Sequence, residues 1–122
     1  MEQVDQLNVR THEMRLHPLP FEMIRGGTKT VEIRLDDEKR QLMKVGDCIE
    51  FISRENPEDT IKVEITNIDK FDSFKDAYDA YPPKLYGGES ADEYECMYKY
   101  YSKEDEKKYG VLGIRLKRLI GN

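Results

Sequence analysis

The sequence GTKTVEIR, at residues 27–34, decides our interpretation of the fold of this chain. Apolar side chains alternate with polar ones from Thr30 to Leu35, which is the period-2 pattern of a half-buried β-strand. A glycine pair, Gly26 and Gly27, comes directly before this strand and suits the left-handed end of a helix. The segment also carries a lysine, a glutamate and an arginine, which makes it the chain's main concentration of candidate chemistry.

Short elements are predicted on both sides of this strand. Alternating segments predict strands at 11–17, 28–35, 48–52, 61–66 and 111–119. Helical spacing and capping residues predict short helices at 20–25, 36–43, 74–81 and 90–101, with a last helical turn from 102. This order lacks the regular alternation of a doubly wound α/β sheet. We therefore expect an α+β fold, a small curved sheet or barrel with short helices around it.

The length and charge of the chain limit its class of function. Its 122 residues fit one domain, and its formal net charge is −5. This charge argues against a protein that coats nucleic acid through bulk electrostatics, because such binding needs clustered Lys and Arg. The acidic excess lies between Glu55 and Glu106 and fits a solvated helical face, which leaves room for a local basic cleft elsewhere.

The sequence also indicates a cellular location. No apolar run approaches the roughly 18 residues that span a bilayer, and Met1 to Arg10 lack the apolar core of a signal peptide. We expect a cytoplasmic protein with no membrane partner. In that compartment Cys48 and Cys96, which have no CxxC spacing, are expected to be buried, unlinked thiols.

Several common kinds of site find no support in the sequence. The chain's two histidines, His12 and His17, are five residues apart on a predicted strand, so their side chains point to opposite faces. Neither the GxGxxG nor the GxxxxGK[ST] pattern occurs, and no serine lies in a recognisable nucleophile elbow. We expect no metal and no cofactor.

Two segments allow both a structural and a functional interpretation. Glu32 and Arg34 could form ordinary ion pairs on the wet face of a strand, or could line a cleft together with Lys29. The stripe of Tyr94, Met97, Tyr98 and Tyr101 in the predicted helix at 90–101 could stack bases, but aromatic stripes at helical spacing usually pack into the core. Residue spacing alone favours the structural interpretation in both cases.

A resemblance to a known family changes this balance. The stretch GTKTVEIR resembles the ASCH domain, matching its G-x-K-x-x-E-x-R signature at every fixed position. Further similar segments are PFEMI at 20–24, KVGD at 44–47 and KYGVLGI at 108–114. The resemblance implies a small PUA-like β-barrel decorated with short helices. We assign that domain to residues 11–119 and a polar N-terminal extension to residues 1–10.

The resemblance also implies a function and a site. It indicates a module that binds RNA or a nucleoside-like small molecule in a cleft formed by Gly27, Lys29, Glu32 and Arg34. In that cleft we expect Lys29 and Arg34 to contact the anionic part of the ligand and Glu32 to hydrogen-bond a base or sugar.

Other functions remain open at this point. Some ASCH relatives remove the acetyl group from N4-acetylcytidine with a lysine matching Lys29 and a threonine nucleophile, and ribonuclease activity is also associated with the family. In this chain Glu32 stands at the threonine's position, so that amidohydrolase mechanism does not transfer. A hydrolase using Lys29 and Glu32 as acid and base is one alternative. A protein-interaction domain that works through the acidic segment at 92–106 is another.

Overall fold

The computed structural model describes residues 9–119. Five strands form one sheet: β1 (Thr11–Leu16), β2 (Val31–Leu35), β3 (Cys48–Ser53), β4 (Thr60–Phe71) and β5 (Val111–Arg118). Four short α-helices accompany them: α1 (Pro18–Arg25), α2 (Phe74–Ala80), α3 (Pro83–Tyr86) and α4 (Lys103–Tyr109). Two 3₁₀ segments lie at Arg40–Leu42 and Ala91–Lys99. The predicted α+β class is confirmed.

The sheet curls into a half-barrel with strand order β1-β3-β4-β5-β2. Strand β1 runs parallel to β3, and every other neighbouring pair is antiparallel. A register shift between Ile65 and Asn67 interrupts the long strand β4 where it faces β5, and such a bulge bends a strand and increases its twist. The curl brings the two edge strands close enough for Arg34 on β2 to contact the Arg15 carbonyl on β1 at 3.5 Å.

The buried apolar side chains form two clusters. One joins β1, β3, β4 and β5 to helix α1, and its fully buried members include Phe21, Phe51 and Ile65. The other joins β2 to α2 and the following aromatic segments, with Phe74 at its centre. Strand β2 therefore has apolar packing on the face of Val31, and its other face carries Glu32 and Arg34.

Two predicted helices take a different form. Only Arg40–Leu42 of the segment at 36–43 is helical, and the Asp37 carboxylate before it accepts hydrogen bonds from the backbone and the side chain of Arg40. The segment at 90–101 is a 3₁₀ helix. Its N-cap is Ser90, whose hydroxyl accepts from the Asp92 N–H, whereas the Glu93 carboxylate accepts from the Glu89 N–H.

Other local predictions are corrected by tertiary context. Pro82 and Pro83 end α2, but Pro83 then occupies the first turn of α3, a helix that the sequence did not predict. Strand β4 continues to Phe71, because its polar second half pairs with β5. Both thiols are free as expected, yet Cys48 is only half-buried and Cys96 is exposed.

Some predictions on location and boundaries stay predictions. Residues 1–8 of the predicted N-terminal extension lie outside the described residues, so the boundary at residue 11 is untested. Within the described part of the chain, no helix combines the length and the apolar composition needed to cross a bilayer. The cytoplasmic location stays a prediction.

Candidate ligand-binding site

A cavity of about 400 Å³ opens where the edges of β1 and β2 approach each other. Its walls come from β1, β2, the start of α1, the residue after β3 and three aromatic segments. The lining residues are Arg15, Leu16, His17, Pro20, Lys29, Glu32, Ile33, Arg34, Arg54, Tyr78, Tyr86, Met97, Tyr100 and Tyr101. Three of the four residues that we predicted for a ligand site, Lys29, Glu32 and Arg34, are therefore in one cavity.

Gly27, the fourth predicted residue, lies outside the cavity lining. Its φ of 84° gives the left-handed turn that ends α1, as predicted for this glycine pair. This turn lets the Lys29 backbone N–H donate to the Met23 carbonyl at 3.1 Å. Gly27 thus positions Lys29 through the backbone.

Lys29 is buried at the wall of the cavity, with 8% of its surface exposed. Its Nζ donates a 2.8 Å hydrogen bond to the Tyr86 carbonyl at the end of α3. Gly87 follows with a φ of 86°, and a Cβ there would lie 3.3 Å from the Lys29 side chain and 3.1 Å from the Met23 sulfur. The unpredicted helix α3 therefore fixes the position of the signature lysine.

Glu32 lies between the two signature cations. Its Oε1 is 3.1 Å from Lys29 Nζ, and its Oε2 accepts a 2.6 Å hydrogen bond from Arg34 Nε. Burial, with only 5% of the residue exposed, would raise the pKa of Glu32, but the charges of Lys29 and Arg34 outweigh it and hold the pKa at about 2. Glu32 is therefore a carboxylate at neutral pH.

Arg34 reaches across the opening of the half-barrel. Its side chain is 16% exposed and touches Glu32 on one side and the Arg15 carbonyl on the other. Burial opposes the guanidinium charge, yet the Glu32 carboxylate raises the pKa of Arg34 above its ordinary value, with a smaller contribution from Tyr101. Lys29, Glu32 and Arg34 thus form a charged triad at the floor of the cavity.

Sequence reasoning missed the residues around this triad. Arg15 and His17 are the polar positions of an ordinary alternating strand, and Arg54 follows another, so only the pairing of β1 with β3 brings them to the cavity. The predicted core stripes are confirmed in part. Tyr78 and Tyr101 pack against the second cluster and also line the cavity, whereas Tyr100 at its rim is 67% exposed.

The cavity is locally basic in an acidic protein. Four cationic side chains (Arg15, Lys29, Arg34 and Arg54) line it against one carboxylate, a formal local charge of +3 with histidine neutral. The whole chain has a formal charge of −5. The local basic cleft that the charge distribution left room for is therefore present.

The other histidine belongs to a separate structural cluster. His12 Nε2 lies 2.9 Å from Asp47, whose carboxylate also accepts from the Arg10 and Lys44 backbone N–H groups. These contacts fix the turn before β3. Across residues 9–119, no three His, Cys, Asp or Glu side chains are grouped to hold a metal ion.

Comparison with known proteins agrees with the resemblance of the signature segment to one family. The ASCH domain family matches residues 14–119. The hypothetical protein PH0355 is similar in structure, with a TM-score of 0.76 and 34% identity over 89% of this chain and 99% of its own. Protein PF0455 from Pyrococcus furiosus has a TM-score of 0.71 and 33% identity over 90% of this chain and 98% of its own.

A more distant structure shares the fold. The ASCH protein from Zymomonas mobilis has a TM-score of 0.65 at 16% identity, covering 88% of this chain and 67% of its own. None of the curated proteins matches the sequence.

Proposed function

Since the chain belongs to the ASCH domain family and has its PUA-like fold, we propose that it binds a nucleoside-like ligand, either as a free small molecule or as an unstacked nucleotide of single-stranded RNA. The observation that carries this proposal is the convergence of the signature triad, tyrosine rings and two further arginines on one cavity. A volume of about 400 Å³ lies within the range of roughly 300–1,000 Å³ typical of small-molecule sites. It suits one nucleotide-sized group rather than a duplex.

The aromatic rim supports a ligand with a planar ring. Tyr100 lines the cavity and is 67% exposed, so its ring is available to a ligand. Bases stack on tyrosine without regard to base identity, with a contribution of about 1–3 kcal/mol per base. We therefore assign Tyr100 and the neighbouring Tyr101 to the base.

The triad supports a site that is already ordered before the ligand arrives. Glu32 holds Lys29 and Arg34 in place, and each cation has a second backbone partner. Polar groups fixed in this way lose little entropy on binding. In our proposal Glu32 acts mainly by ordering Lys29 and Arg34, since its Oε1 is shielded from solvent.

The charge state of Glu32 argues against hydrolysis with Lys29 and Glu32 as acid and base. A general acid or base is most effective when its pKa is near the working pH. With a pKa of about 2, Glu32 has no proton to donate at neutral pH and is a weak base. We therefore favour binding over turnover, and an assay for product from N4-acetylcytidine and short RNAs checks this choice.

The proposal is tested by measuring the affinity of Tyr100→Ala for ribonucleoside monophosphates and a short single-stranded RNA. We expect a tenfold or greater loss from the missing stack, with an unchanged melting temperature because Tyr100 is exposed. Leu19→Ala is the matched control, since Leu19 is also 67% exposed but is not in the cavity lining. Equal affinities for wild type and Tyr100→Ala would contradict the proposed stack, and no binding of any of these ligands would contradict the function.

A further inference from the structure

Two further cationic side chains lie at the cavity mouth. Arg15 and Arg54 are exposed, and both line the cavity. Within residues 9–119 neither guanidinium group forms an ion pair or a hydrogen bond. The other two cations of the cavity, Lys29 and Arg34, share the Glu32 carboxylate.

The strand pairing places these two arginines on the same side of the sheet. Arg15 lies in β1, and Arg54 directly follows β3, with its backbone N–H donating to the Leu16 carbonyl at 2.9 Å. Leu16 and Ser53 face each other in the register and are both buried. Because successive side chains of a strand alternate, Arg15 and Arg54 both project to the opposite, outer face.

We infer that Arg15 and Arg54 form a phosphate clamp, so that the ligand of the cavity is a phosphorylated nucleotide and not a neutral nucleoside. The inference rests on the proposed function and adds the chemical class of the ligand. A guanidinium group offers paired N–H donors that match the oxygens of a phosphate. Two such groups with no competing carboxylate would contact the phosphate at the mouth, while the base lies against Tyr100 and Tyr101.

The alternative phosphate site within the cavity is the triad, as the sequence first suggested. The triad is a weaker anion site, because a phosphate there would approach the Glu32 carboxylate. Arg34 Nε and Lys29 Nζ already donate hydrogen bonds within the protein. The clamp at the mouth has neither disadvantage.

Isothermal titration calorimetry with the four ribonucleosides and their 5′-monophosphates tests the clamp. We expect at least one monophosphate to bind wild type about tenfold or more tightly than its nucleoside. The reason is that a hydrogen bond to a charged group typically strengthens binding by about tenfold or more. Combining Arg15→Gln with Arg54→Gln should abolish this preference, so that the monophosphate binds no more tightly than its nucleoside. Combining Lys107→Gln with Lys117→Gln, two exposed lysines outside the lining, should change neither affinity.

Parallel measurements separate the sources of the phosphate and the ways in which the clamp could fail. If a single-stranded RNA binds more tightly than mononucleotides and also loses affinity in the double variant, the clamp holds a phosphate of RNA. Equal binding of nucleoside and monophosphate by wild type would overturn the clamp and leave the proposed function intact. A phosphate preference lost in Arg34→Gln but kept in the double variant would assign the phosphate to the triad. Failure of all nucleosides, nucleotides and RNA to bind would overturn the proposed function itself.

Discussion

At the scale of single residues, Glu32 is the most important residue of the site, because the buried Lys29 and the partly buried Arg34 both pair with it. Glu32→Gln removes the only carboxylate of the cavity lining and leaves Lys29 and Arg34 without a counter-charge. Removing one partner of a buried ion pair typically costs about 3–5 kcal/mol. We expect a loss of this size in the free energy of unfolding, measured by urea denaturation.

The control for this variant is an exposed ion pair. Lys75 and Asp79 are bonded at 3.0 Å on α2, with both side chains more than half exposed. Asp79→Asn should therefore lower the free energy of unfolding by no more than about 1 kcal/mol. Similar effects of the two variants would contradict the view that burial makes the triad important.

The same carboxylate predicts a pH dependence of stability. The pKa of Glu32 is lowered from an ordinary value of 4.5 to about 2 in the folded state. A lowered pKa stabilises the fold fully above about pH 4.5, and this contribution, about 3 kcal/mol, is lost as the pH falls toward 2. The difference in unfolding free energy between wild type and Glu32→Gln should therefore shrink between pH 5 and pH 2.

The comparison of the two proteins isolates Glu32 from other acid-sensitive groups. The pKa of Asp47 is also lowered, because hydrogen bonds from His12 and nearby backbone groups outweigh its burial. Asp47 contributes equally to both proteins, so it cancels in the difference. A difference that stays constant down to pH 2 would show that Glu32 is not a stabilised carboxylate.

The sequence allowed the triad to be predicted but not the clamp. Lys29, Glu32 and Arg34 lie within six residues in and just before one strand, and the family signature marks them. Arg15 and Arg54 are 39 positions apart and stand in unremarkable contexts. Their proximity depends on the parallel pairing of β1 with β3, a long-range contact that no local pattern encodes.

At the scale of elements, the contact between β5 and the end of α2 depends on a missing side chain. A Cβ on Gly113 would lie 2.1 Å from the Tyr81 hydroxyl, whose O–H donates to Asp69 at 2.5 Å. Gly113→Ala should force Tyr81 out of place and lower the free energy of unfolding by about 1–3 kcal/mol, as overpacked cores do. Chemical denaturation measures this loss.

A second glycine and a double variant control this prediction. Gly26→Ala should have a smaller effect, because its φ of −77° is ordinary and a Cβ would approach no closer than 3.3 Å. In a double-mutant cycle, Gly113→Ala should cost less when Tyr81 is already alanine. Full additivity of the two changes would remove the steric explanation.

The elements also show where local sequence patterns stop being sufficient. Strands with clean alternation, such as β1 and β3, were predicted well because each has a buried and a less buried face. The segment at 91–99 has helical apolar spacing, yet it folds as a 3₁₀ helix with no fully buried residue. Its aromatic side chains pack against α2. Local residue spacing does not specify this contact, and the segment that makes it is a 3₁₀ helix where an α-helix was predicted.

At the scale of the whole molecule, the acidic segment has a structural role as well as a solvated face. Glu106 is buried, and its carboxylate accepts from the Phe74 N–H at the start of α2 and from the Tyr98 hydroxyl. Part of the acidic excess in the sequence therefore holds α2, the 3₁₀ segment and α4 together. The alternative of a protein-interaction surface at 92–106 stays a prediction for the remaining exposed acids.

The separation of a basic cavity from an acidic surface predicts how RNA binding responds to salt. The logarithm of affinity for a single strand falls with the logarithm of salt by about 0.7 for each phosphate neutralised. A cavity with four cations, two of them shared with Glu32, should neutralise no more than about three phosphates, which gives a slope no steeper than about −2. Raising salt from 50 to 200 mM should then weaken binding of a short RNA by roughly 16-fold at most.

In the variant lacking both Arg15 and Arg54 the slope of this salt dependence should become shallower by about 0.7, the value for one phosphate. A slope steeper than about −4 would mean that the protein contacts many phosphates of the RNA along its surface. That result would contradict a single-nucleotide site in a protein with a formal charge of −5.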